Sequence, residues 1–392
     1  MMLKRKPYLV VPKFIEQPTW GGNYITTLKS WENVPFLTEK KIGQSYELYS
    51  DSKLLLEIDQ SDDKRCIPEL GYADTPDIMQ KFFTLRKNHD YTALPYLIEQ
   101  YPREILGRIS ADNYRKKPLL IKINQSAGNS FQLHIKPGIK HKRWQCKPES
   151  WYYLEDGFIT FGIKPNIYIA DYKKACLLIE KKVMELSKKI LEKSLSLDDA
   201  KRQIKEFIYS NDPHQFVNLH HIKKGEMVDL SLGGIHHSWE ENLEACPLGN
   251  VLYEVQLNVM DPVSTIRSFD QGKIKSDGTI RKVHIEDYFQ LIDTDPDRND
   301  LKKMKIIRKE NKLLKTKYYS LDILEISQPI TETTNNSFVH LFVRNGKAQI
   351  KCDEGKVILG KGHSCLVPEF AKTYRITPFK DSVILKTYIE NG

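Results

Sequence analysis

The chain has 392 residues, with 60 Lys and Arg against 51 Asp and Glu, a formal net charge of +9. This length is enough for two or three domains with a sizeable core. Hydrophobic residues make up 40% and charged residues 28%, which is ordinary for a water-soluble globular protein. The longest apolar stretches, such as Pro118–Ile121 and Ser382–Leu385, are far too short to cross a bilayer. We therefore expect no membrane partner.

Targeting and cysteine signals favour a cytoplasmic protein. The apolar piece Pro7–Pro12 is short and holds two prolines, which argues against a signal peptide. The 6 cysteines show no CxxC and no regular spacing, which disfavours a disulfide framework and a thiolate zinc site. The positive charge is most simply a solvated surface, and it also suits an anionic small molecule. We expect no nucleic-acid partner, because no basic stripe or known binding module is present. The oligomeric state stays open.

The first half of the chain alternates between strand-like and helical patterns. Residues from about Thr75 to Leu106 have apolar side chains at helical spacing and are predicted to be helical. Short runs typical of strands precede and follow this segment, separated by turn residues. These runs are Tyr8–Val11, Asn23–Leu28, Ser45–Tyr49, Leu54–Ile58, Leu119–Ile123, Ser130–Ile135, Ser150–Leu154, Gly157–Gly162 and Ile167–Ala170. Many short strands with turns between them predict a sandwich, jelly roll or barrel.

A helical segment interrupts the strands. Residues 171–210 have a helical period, and Ser196-Leu197-Asp198-Asp199 resembles a capping box that starts a second helix. Strands resume at Phe216, and residues 293–302 are charged and turn-rich. We predict a mainly β protein: one β-domain from residues 1–170 and 211–300, an inserted helical hairpin at 171–210, and a C-terminal β-domain at 301–392.

Two motifs carry the candidate chemistry. In Ser130-Phe131-Gln132-Leu133-His134, strand alternation places Ser130, Gln132 and His134 on one face and the apolar residues on the other. The same alternation places Lys147 and Glu149 together. Each motif alone is more often structural than functional.

Glycines precede a histidine pair in Gly233-Gly234-Ile235-His236-His237, which indicates a tight turn presenting imidazole groups. His134, Glu149 and one histidine of this pair would form a mixed nitrogen and oxygen set. Such a set suits zinc or another divalent ion with an open coordination position. A histidine pair is also common at the edge of a core.

Taken together, these motifs resemble the metal-binding pattern of type I mannose-6-phosphate isomerases, which belong to the cupin superfamily. Further segments follow in the order expected for this family. They are Pro12–Gly22, Ile42–Ser50, Pro118–Lys122, Tyr253–Asn258, Arg267–Gly272 and Lys282–Ile292. The resemblance implies two cupin (jelly-roll) β-domains and an inserted helical segment.

The resemblance also implies roles for individual residues. Gln132, His134, Glu149 and His237 would hold the metal, usually zinc, whereas His236 stands where the family has proline. The implied catalytic residues are Arg267, Glu254 and Lys147. The implied substrate-binding residues are Lys122, Ser130, Trp20 and Glu47, the last two by weaker matches.

The implied activity is metal-dependent interconversion of mannose 6-phosphate and fructose 6-phosphate through a cis-enediolate. This chain departs from the family pattern at Ile135–Gly138 and Gln271–Lys273, and its interval between Asn258 and Arg267 is longer than usual. Because these positions adjoin the implied pocket, alternatives stay open. They are an isomerase of a different phosphosugar, a non-catalytic sugar-phosphate sensor and an iron-dependent oxygenase, the last disfavoured by Gln132 and the flanking lysines.

Overall fold

The computed structural model describes most of the chain. The described residues are 3–17, 20–34, 37–55, 67–75, 78–86, 91–113, 117–126, 130–239 and 244–390. For residues 67–75, 78–86 and 91, only the backbone is described.

Antiparallel strands dominate the described residues. In chain order they are β1 (Tyr8–Val11), β2 (Lys13–Glu16), β3 (Ile42–Leu48), β4 (Lys53–Leu55), β5 (Ile67–Thr75), β6 (Ile78–Arg86), β7 (Tyr91–Ala93), β8 (Leu120–Ser126), β9 (Phe131–His134), β10 (Glu149–Tyr153), β11 (Gly157–Ile163), β12 (Val217–Ile222), β13 (Met227–Asp229), β14 (Gly234–Trp239), β15 (Asn250–Gln256), β16 (Ile266–Phe269), β17 (Lys305–Ile306), β18 (Lys312–Lys315), β19 (Ser320–Ile326), β20 (Ile330–Thr333), β21 (Val339–Cys352), β22 (Gly355–Gly360), β23 (Ser364–Val367) and β24 (Thr373–Tyr388).

The helices are fewer and are concentrated in one insert. They are α1 (Tyr24–Leu28), α2 (Leu94–Gln100), α3 (Pro102–Leu106), α4 (Arg108–Asn113), α5 (Ile169–Leu191), α6 (Leu197–Ser210), α7 (Ile285–Leu291) and α8 (Leu301–Met304). Short 3-10 turns lie at Pro213–Phe216, Asp261–Val263, Pro296–Arg298 and Glu369–Ala371. Across the described residues, no helix is long and apolar enough to span a membrane.

The strands form three sheets. Sheet A runs β18-β19-β24-β21-β23-β1-β4-β7, with β20 and β22 attached to β24 and β21. Sheet B runs β17-β13-β10-β15-β8-β3-β2-β6-β5, and sheet C runs β12-β11-β14-β9-β16. N-terminal strands β1, β4 and β7 therefore belong to the C-terminal sheet, and β17 belongs to sheet B. The predicted boundary at residue 300 thus does not coincide with a division between sheets.

Four apolar clusters arrange these sheets as layers. One cluster joins sheets A and B through residues such as Tyr253 and Phe342. A second fills the interior of the C-terminal block. A third, including Trp151 and Phe161, lies between sheets B and C. The fourth packs the outer face of sheet C against α5, α6 and α7. Sheets B and C therefore enclose a space between them, and the helical insert supports sheet C from outside.

The helical insert agrees with its prediction. α5 and α6 cover residues 169–210 with a short break, and Ser196 is the N-cap of α6. The Ser196 Oγ accepts a hydrogen bond from the Asp199 backbone N–H at 3.1 Å, which satisfies one of the N-terminal amides that a helix leaves free.

Three local predictions were wrong. The predicted strand Ile167–Ala170 is not formed, because helix α5 already begins at Ile169. Residues 78–86 form strand β6, although helical spacing suggested otherwise, because they pair on one side with β5 and on the other with β2. Pairing on both edges overrides a short apolar pattern that fits either period. Residues 24–28 form helix α1, not a strand. The part of the predicted strand Leu54–Ile58 beyond Leu55 lies outside the described residues.

Candidate metal centre and active site

Sheet C presents a polar face toward sheet B. In β9, Gln132 and His134 are two residues apart and share a face. Across the ladder, His236 in β14 lies opposite Gln132, and so does Arg267 in β16 on the other side. Residues directly opposite in an antiparallel pair point to the same side of the sheet. Gln132, His134, His236 and Arg267 therefore converge on the space between the sheets.

The adjacent histidine faces the other way. His237 lies opposite Thr160 in β11, and its Nδ1 is hydrogen-bonded to the Thr160 hydroxyl. Its ring packs on Phe131, with ring centroids 4.2 Å apart, on the helix-covered side of the sheet. The structure therefore does not place His237 in the predicted metal set; it places His236 there. The reason is strand alternation, which sends neighbours to opposite faces.

Two glycines let β14 begin in the required position. Gly233 and Gly234 have φ values of +73° and +112°, which residues with a side chain rarely adopt. A Cβ on Gly233 would also approach the His134 carbonyl oxygen to 2.7 Å. The two glycines thus form the tight turn predicted from the sequence, and this turn directs a histidine toward the site.

Glu149 reaches the histidines from sheet B. One carboxylate oxygen, Oε1, lies 2.8 Å from His236 Nε2, and the other, Oε2, lies 3.5 Å from His134 Nε2. His134, Glu149 and His236 are buried, and their ligand atoms all lie within 4.8 Å of one another. Ligands of a tetrahedral zinc ion at 2.0–2.1 Å are ~3.3 Å apart, so this spacing suits such an ion.

Backbone carbonyls orient both imidazoles. His134 Nδ1 lies 2.6 Å from the Ser264 carbonyl oxygen, and His236 Nδ1 lies 3.3 Å from that of Gly234. These contacts turn the Nε2 atom of each ring toward Glu149. His134 Nε2 is buried with no hydrogen-bond partner among the described residues. Two ring nitrogens and a carboxylate that converge in this way suit a cation.

Electrostatics maintain this donor set. Burial, with help from the Lys147 charge, lowers the pKa of His134 despite the opposing effect of Glu149. Burial alone would raise the pKa of Glu149, but the Lys147 ammonium and His134 hold that pKa well below its usual range. A neutral imidazole and an ionised carboxylate are the forms that bind a divalent ion.

The predicted cations and carboxylates lie around this set. Lys147 Nζ is 3.0 Å from Glu149 Oε2, and the Lys147 side chain is buried. Burial alone would lower the Lys147 pKa, but nearby carboxylates, chiefly Asp261 and Glu149, outweigh this effect and raise it. Lys122 and Glu254 are opposite each other on β8 and β15, with Nζ and Oε1 3.2 Å apart. The Asn124 amide also donates to Glu254.

The pKa values of the Lys122–Glu254 pair are shifted in the same direction. Burial and the nearby Glu149 charge raise the pKa of Glu254 above its usual value, against the opposing effect of Lys122. Burial would lower the pKa of Lys122, but Glu254 reverses this and raises it. Lys122 is therefore a charged group, and Glu254 is the carboxyl of the site that is closest to accepting a proton.

Ser130 is placed at the beginning of β9. It is 1% exposed, and its hydroxyl has no hydrogen-bond partner among the described residues. The sequence placed it on the face of Gln132 and His134. It is thus a buried hydroxyl near the site that is available to a ligand.

The two weaker substrate-binding predictions, Glu47 and Trp20, have other contacts in the structure. Glu47 is buried against Lys29, with Oε1 and Nζ 2.8 Å apart, and accepts from the Ser364 hydroxyl of sheet A at 3.1 Å. Glu47 therefore lies in a contact between sheets A and B. Alternation on β3 turns it away from Tyr46, which lies opposite Lys122. Trp20 packs its ring against Gly43.

Sequence reasoning missed His236 and Asp261. His236 was assigned no role because the family pattern has proline there, and only the strand register distinguishes it from His237. The Asp261 carboxylate lies 3.0 Å from Lys147 Nζ. The one signal for Asp261 was the long interval between Asn258 and Arg267. A cavity of about 330 Å³ adjoins this segment and is lined by Gln145, Met260 and Val263 among others.

Comparisons with known proteins agree with this architecture. Residues 309–382 match the family model described as mannose-6-phosphate isomerase, cupin domain. No curated protein sequence matches the chain.

Solved structures match over the full length. The mannose 6-phosphate isomerase from Bacillus subtilis is 16% identical, with 98% of this chain and 99% of that chain covered and a TM-score of 0.64. A putative mannosephosphate isomerase from Archaeoglobus fulgidus is also 16% identical, with 99% and 100% covered and a TM-score of 0.62. A zinc-bound mannose 6-phosphate isomerase is 13% identical, with 98% and 99% covered and a TM-score of 0.64. These matches confirm the predicted mainly β fold and agree with the resemblance found in the sequence.

Proposed function

We propose that this chain is a metal-dependent aldose–ketose isomerase that interconverts mannose 6-phosphate and fructose 6-phosphate. The observation that carries the proposal is the buried His134–Glu149–His236 set, whose lone pairs converge beside Lys147 and Arg267. Mannose 6-phosphate isomerases of known structure share this fold, and one of them is zinc-bound, which supports the same substrate and metal.

Zinc is the proposed metal, one per chain, with other divalent ions as substitutes. His134, Glu149 and His236 would hold it, with the Gln132 amide oxygen beside them on β9. The orphaned His134 Nε2 and the spacing of the donors fit such an ion. When bound, the ion supplies Lewis-acid polarisation of the sugar oxygens.

Isomerisation moves a proton between carbon 2 and carbon 1 through a cis-enediolate. We assign this transfer to Glu254, because its raised pKa brings it nearer to the working pH than an ordinary carboxylate. Lys122 and Asn124 orient it. Lys147 and Arg267 remain cationic and stabilise the charge that develops on the enediolate oxygens.

The substrate phosphate is proposed to bind at the basic side of the site. Lys122 supplies a buried positive charge, and the Ser130 hydroxyl supplies a donor with no partner among the described residues. Because Lys122 also pairs with Glu254, a phosphate bound there would hold the sugar beside the proposed proton carrier.

The wider organisation is proposed on the same basis. Residues 1–170 and 211–300 would form the catalytic cupin domain, residues 171–210 its helical insert, and residues 301–392 a second cupin-like domain that carries no metal set. We infer a small-molecule phosphosugar partner and a cytoplasmic location, which the free thiols of the five described cysteines support.

A coupled assay for fructose 6-phosphate tests the proposal directly. Metal-stripped protein is supplied with mannose 6-phosphate, with and without added zinc. We expect turnover only after zinc is restored. Zinc-loaded protein that binds mannose 6-phosphate without converting it would contradict an isomerase and favour a sugar-phosphate sensor instead.

A further inference from the structure

The segment from Asp261 to Thr265 braces the site from one side. The Ser264 carbonyl accepts from His134 Nδ1, and the Asp261 carboxylate pairs with Lys147. The Thr265 hydroxyl lies 3.4 Å from Asp261 Oδ1 and the Ser264 hydroxyl donates to the Met260 carbonyl at 2.8 Å, so the turn is held internally. This segment lies within the interval between Asn258 and Arg267, which is longer than in the family pattern.

The proposed isomerase mechanism gives Asp261 no role, although Asp261 belongs to the charged groups of the site. Lys147 Nζ lies 3.0 Å from Glu149 Oε2 and 3.0 Å from Asp261 Oδ1, so one ammonium is shared by two carboxylates. Partial burial would raise the Asp261 pKa, but Lys147, Lys122 and Arg267 hold that pKa below its usual range. All three cations of the site therefore act on this one carboxylate.

Exposure separates Asp261 from the other carboxylates. Its side chain is 54% exposed, whereas that of Glu149 is 2% exposed. Asp261 thus lies at the solvent side of Lys147, where an anionic ligand coming from water would first meet that ammonium. Because the Asp261 carboxylate is exposed, water can solvate it when another anion binds near Lys147.

We propose that Asp261 is a specificity-determining residue that competes with the phosphate of the ligand for the positive charge of Lys122 and Lys147. The inference rests on the proposed function in assuming a phosphorylated ligand. A singly charged anion gains little by displacing an existing carboxylate, whereas a phosphate dianion gains more. Asp261 therefore lowers the affinity of the site for anions in general and favours the more highly charged ones.

Removing the Asp261 charge should strengthen anion binding. A charge about 6 Å from the bound anion contributes roughly a three- to tenfold change in affinity at an effective dielectric between the protein surface and water. The effect should shrink as salt is added, because the pair is partly exposed.

The experiment measures binding to zinc-loaded Asp261→Asn by titration calorimetry, with inorganic phosphate, mannose 6-phosphate and unphosphorylated mannose as probes. We expect phosphate and mannose 6-phosphate to bind about three- to tenfold more tightly than to the wild type, and mannose to bind equally. Asp261→Glu keeps the charge and should retain wild-type affinities. Asp297→Asn removes an exposed carboxylate that pairs with Lys303 and should also change nothing.

Unchanged or weaker phosphate binding in Asp261→Asn would overturn the inference, as would an equal gain for mannose. The unfolding temperature of each variant shows whether the fold is kept; if Asp261→Asn is destabilised, Asp261→Ser gives a second neutral residue for the same titration. Phosphate binding needs no turnover, so an inactive wild type would refute the isomerase while leaving this test valid.

Discussion

At the residue scale, the two adjacent histidines of β14 illustrate how strongly one position along a strand decides chemistry. His236 faces Glu149, and His237 faces Phe131 and Thr160. Both are buried, with exposed fractions of 0% and 1%, so burial does not distinguish them. The two histidines differ only in the direction of their side chains, so variants at these positions can serve as controls for each other.

We predict that His236→Gln lowers zinc affinity by at least about 100-fold, because it removes a ligand, and that His237→Gln does not. Zinc retained after dialysis against a chelator, measured by elemental analysis, checks both. We expect His237→Gln to be less stable than the wild type, since the His237 ring lies in the core, but its folded fraction should bind one zinc ion. Loss of zinc in His237→Gln with retention in His236→Gln would reverse the assignment.

The sequence proposed most members of this candidate site. Alternation along β9 groups Gln132 with His134 on one face, because it needs only one strand. It could not choose between His236 and His237, because that choice depends on the register between β14 and β9. The contact of Glu47 with Lys29 was not predictable for a similar reason: neighbours on β3 point to different layers, and which layer holds the site is a property of the whole fold.

At the element scale, β21 carries a histidine whose surroundings differ from those of the site. His340 is buried between sheets A and B, with Nδ1 3.1 Å from the Tyr253 hydroxyl of β15. Its other ring nitrogen has no hydrogen-bond partner among the described residues. Burial, and then the nearby Lys29 charge, lowers the pKa of His340 to about 3.

This shift predicts acid sensitivity of the contact between the two sheets. The folded protein keeps His340 neutral, whereas the unfolded chain protonates it near pH 6.5, so stability is complete above that pH and falls as pH decreases toward 3. The expected slope is about 1 kcal/mol per pH unit below pH 6. Urea unfolding at several pH values should show a flatter acid slope for His340→Gln than for the wild type. Equal slopes would show that His340 does not contribute.

Elements that were predicted wrongly had patterns compatible with two structures. The apolar residues of β6 fit a helical period, and they pair as a strand only because β2 and β5 offer edges on both sides. In contrast, α5 and α6 were predictable, because the period extends over many residues and Ser196 marks a boundary. Long periodic segments constrain their own structure, whereas short apolar runs depend on distant partners.

At the scale of the whole molecule, the C-terminal sheet is completed by strands from the opposite end of the chain. β1 pairs with β23 and β4 pairs with β1, so sheet A cannot form from residues 301–392 alone in its observed extent. The fold class followed from the many short strands, but this exchange did not, because strand order is set by contacts between distant segments. The N-terminal and C-terminal segments of the chain are thereby tied together in one sheet.

A buried ion pair lies at this junction. Lys29 Nζ is 2.8 Å from Glu47 Oε1, with exposed side-chain fractions of 0% and 1%. Lys29 also donates to the Gly362 carbonyl, and Glu47 accepts from Ser45 and Ser364. The pair therefore connects the N-terminal segment to strand β23 and to the turn before it.

We predict that Glu47→Gln destabilises the whole protein by about 3–5 kcal/mol, because it leaves the Lys29 ammonium buried without its partner. The double variant Lys29→Met, Glu47→Leu should be more stable than either single change, since it removes both charges together. Denaturant unfolding measures these differences, and calorimetry on the folded fraction should show wild-type affinity for mannose 6-phosphate. Weaker mannose 6-phosphate binding by Glu47→Gln at unchanged stability would instead indicate that Glu47 belongs to the substrate site. A residue that only joins the two sheets changes the amount of folded protein and not the affinity of that protein for its ligand.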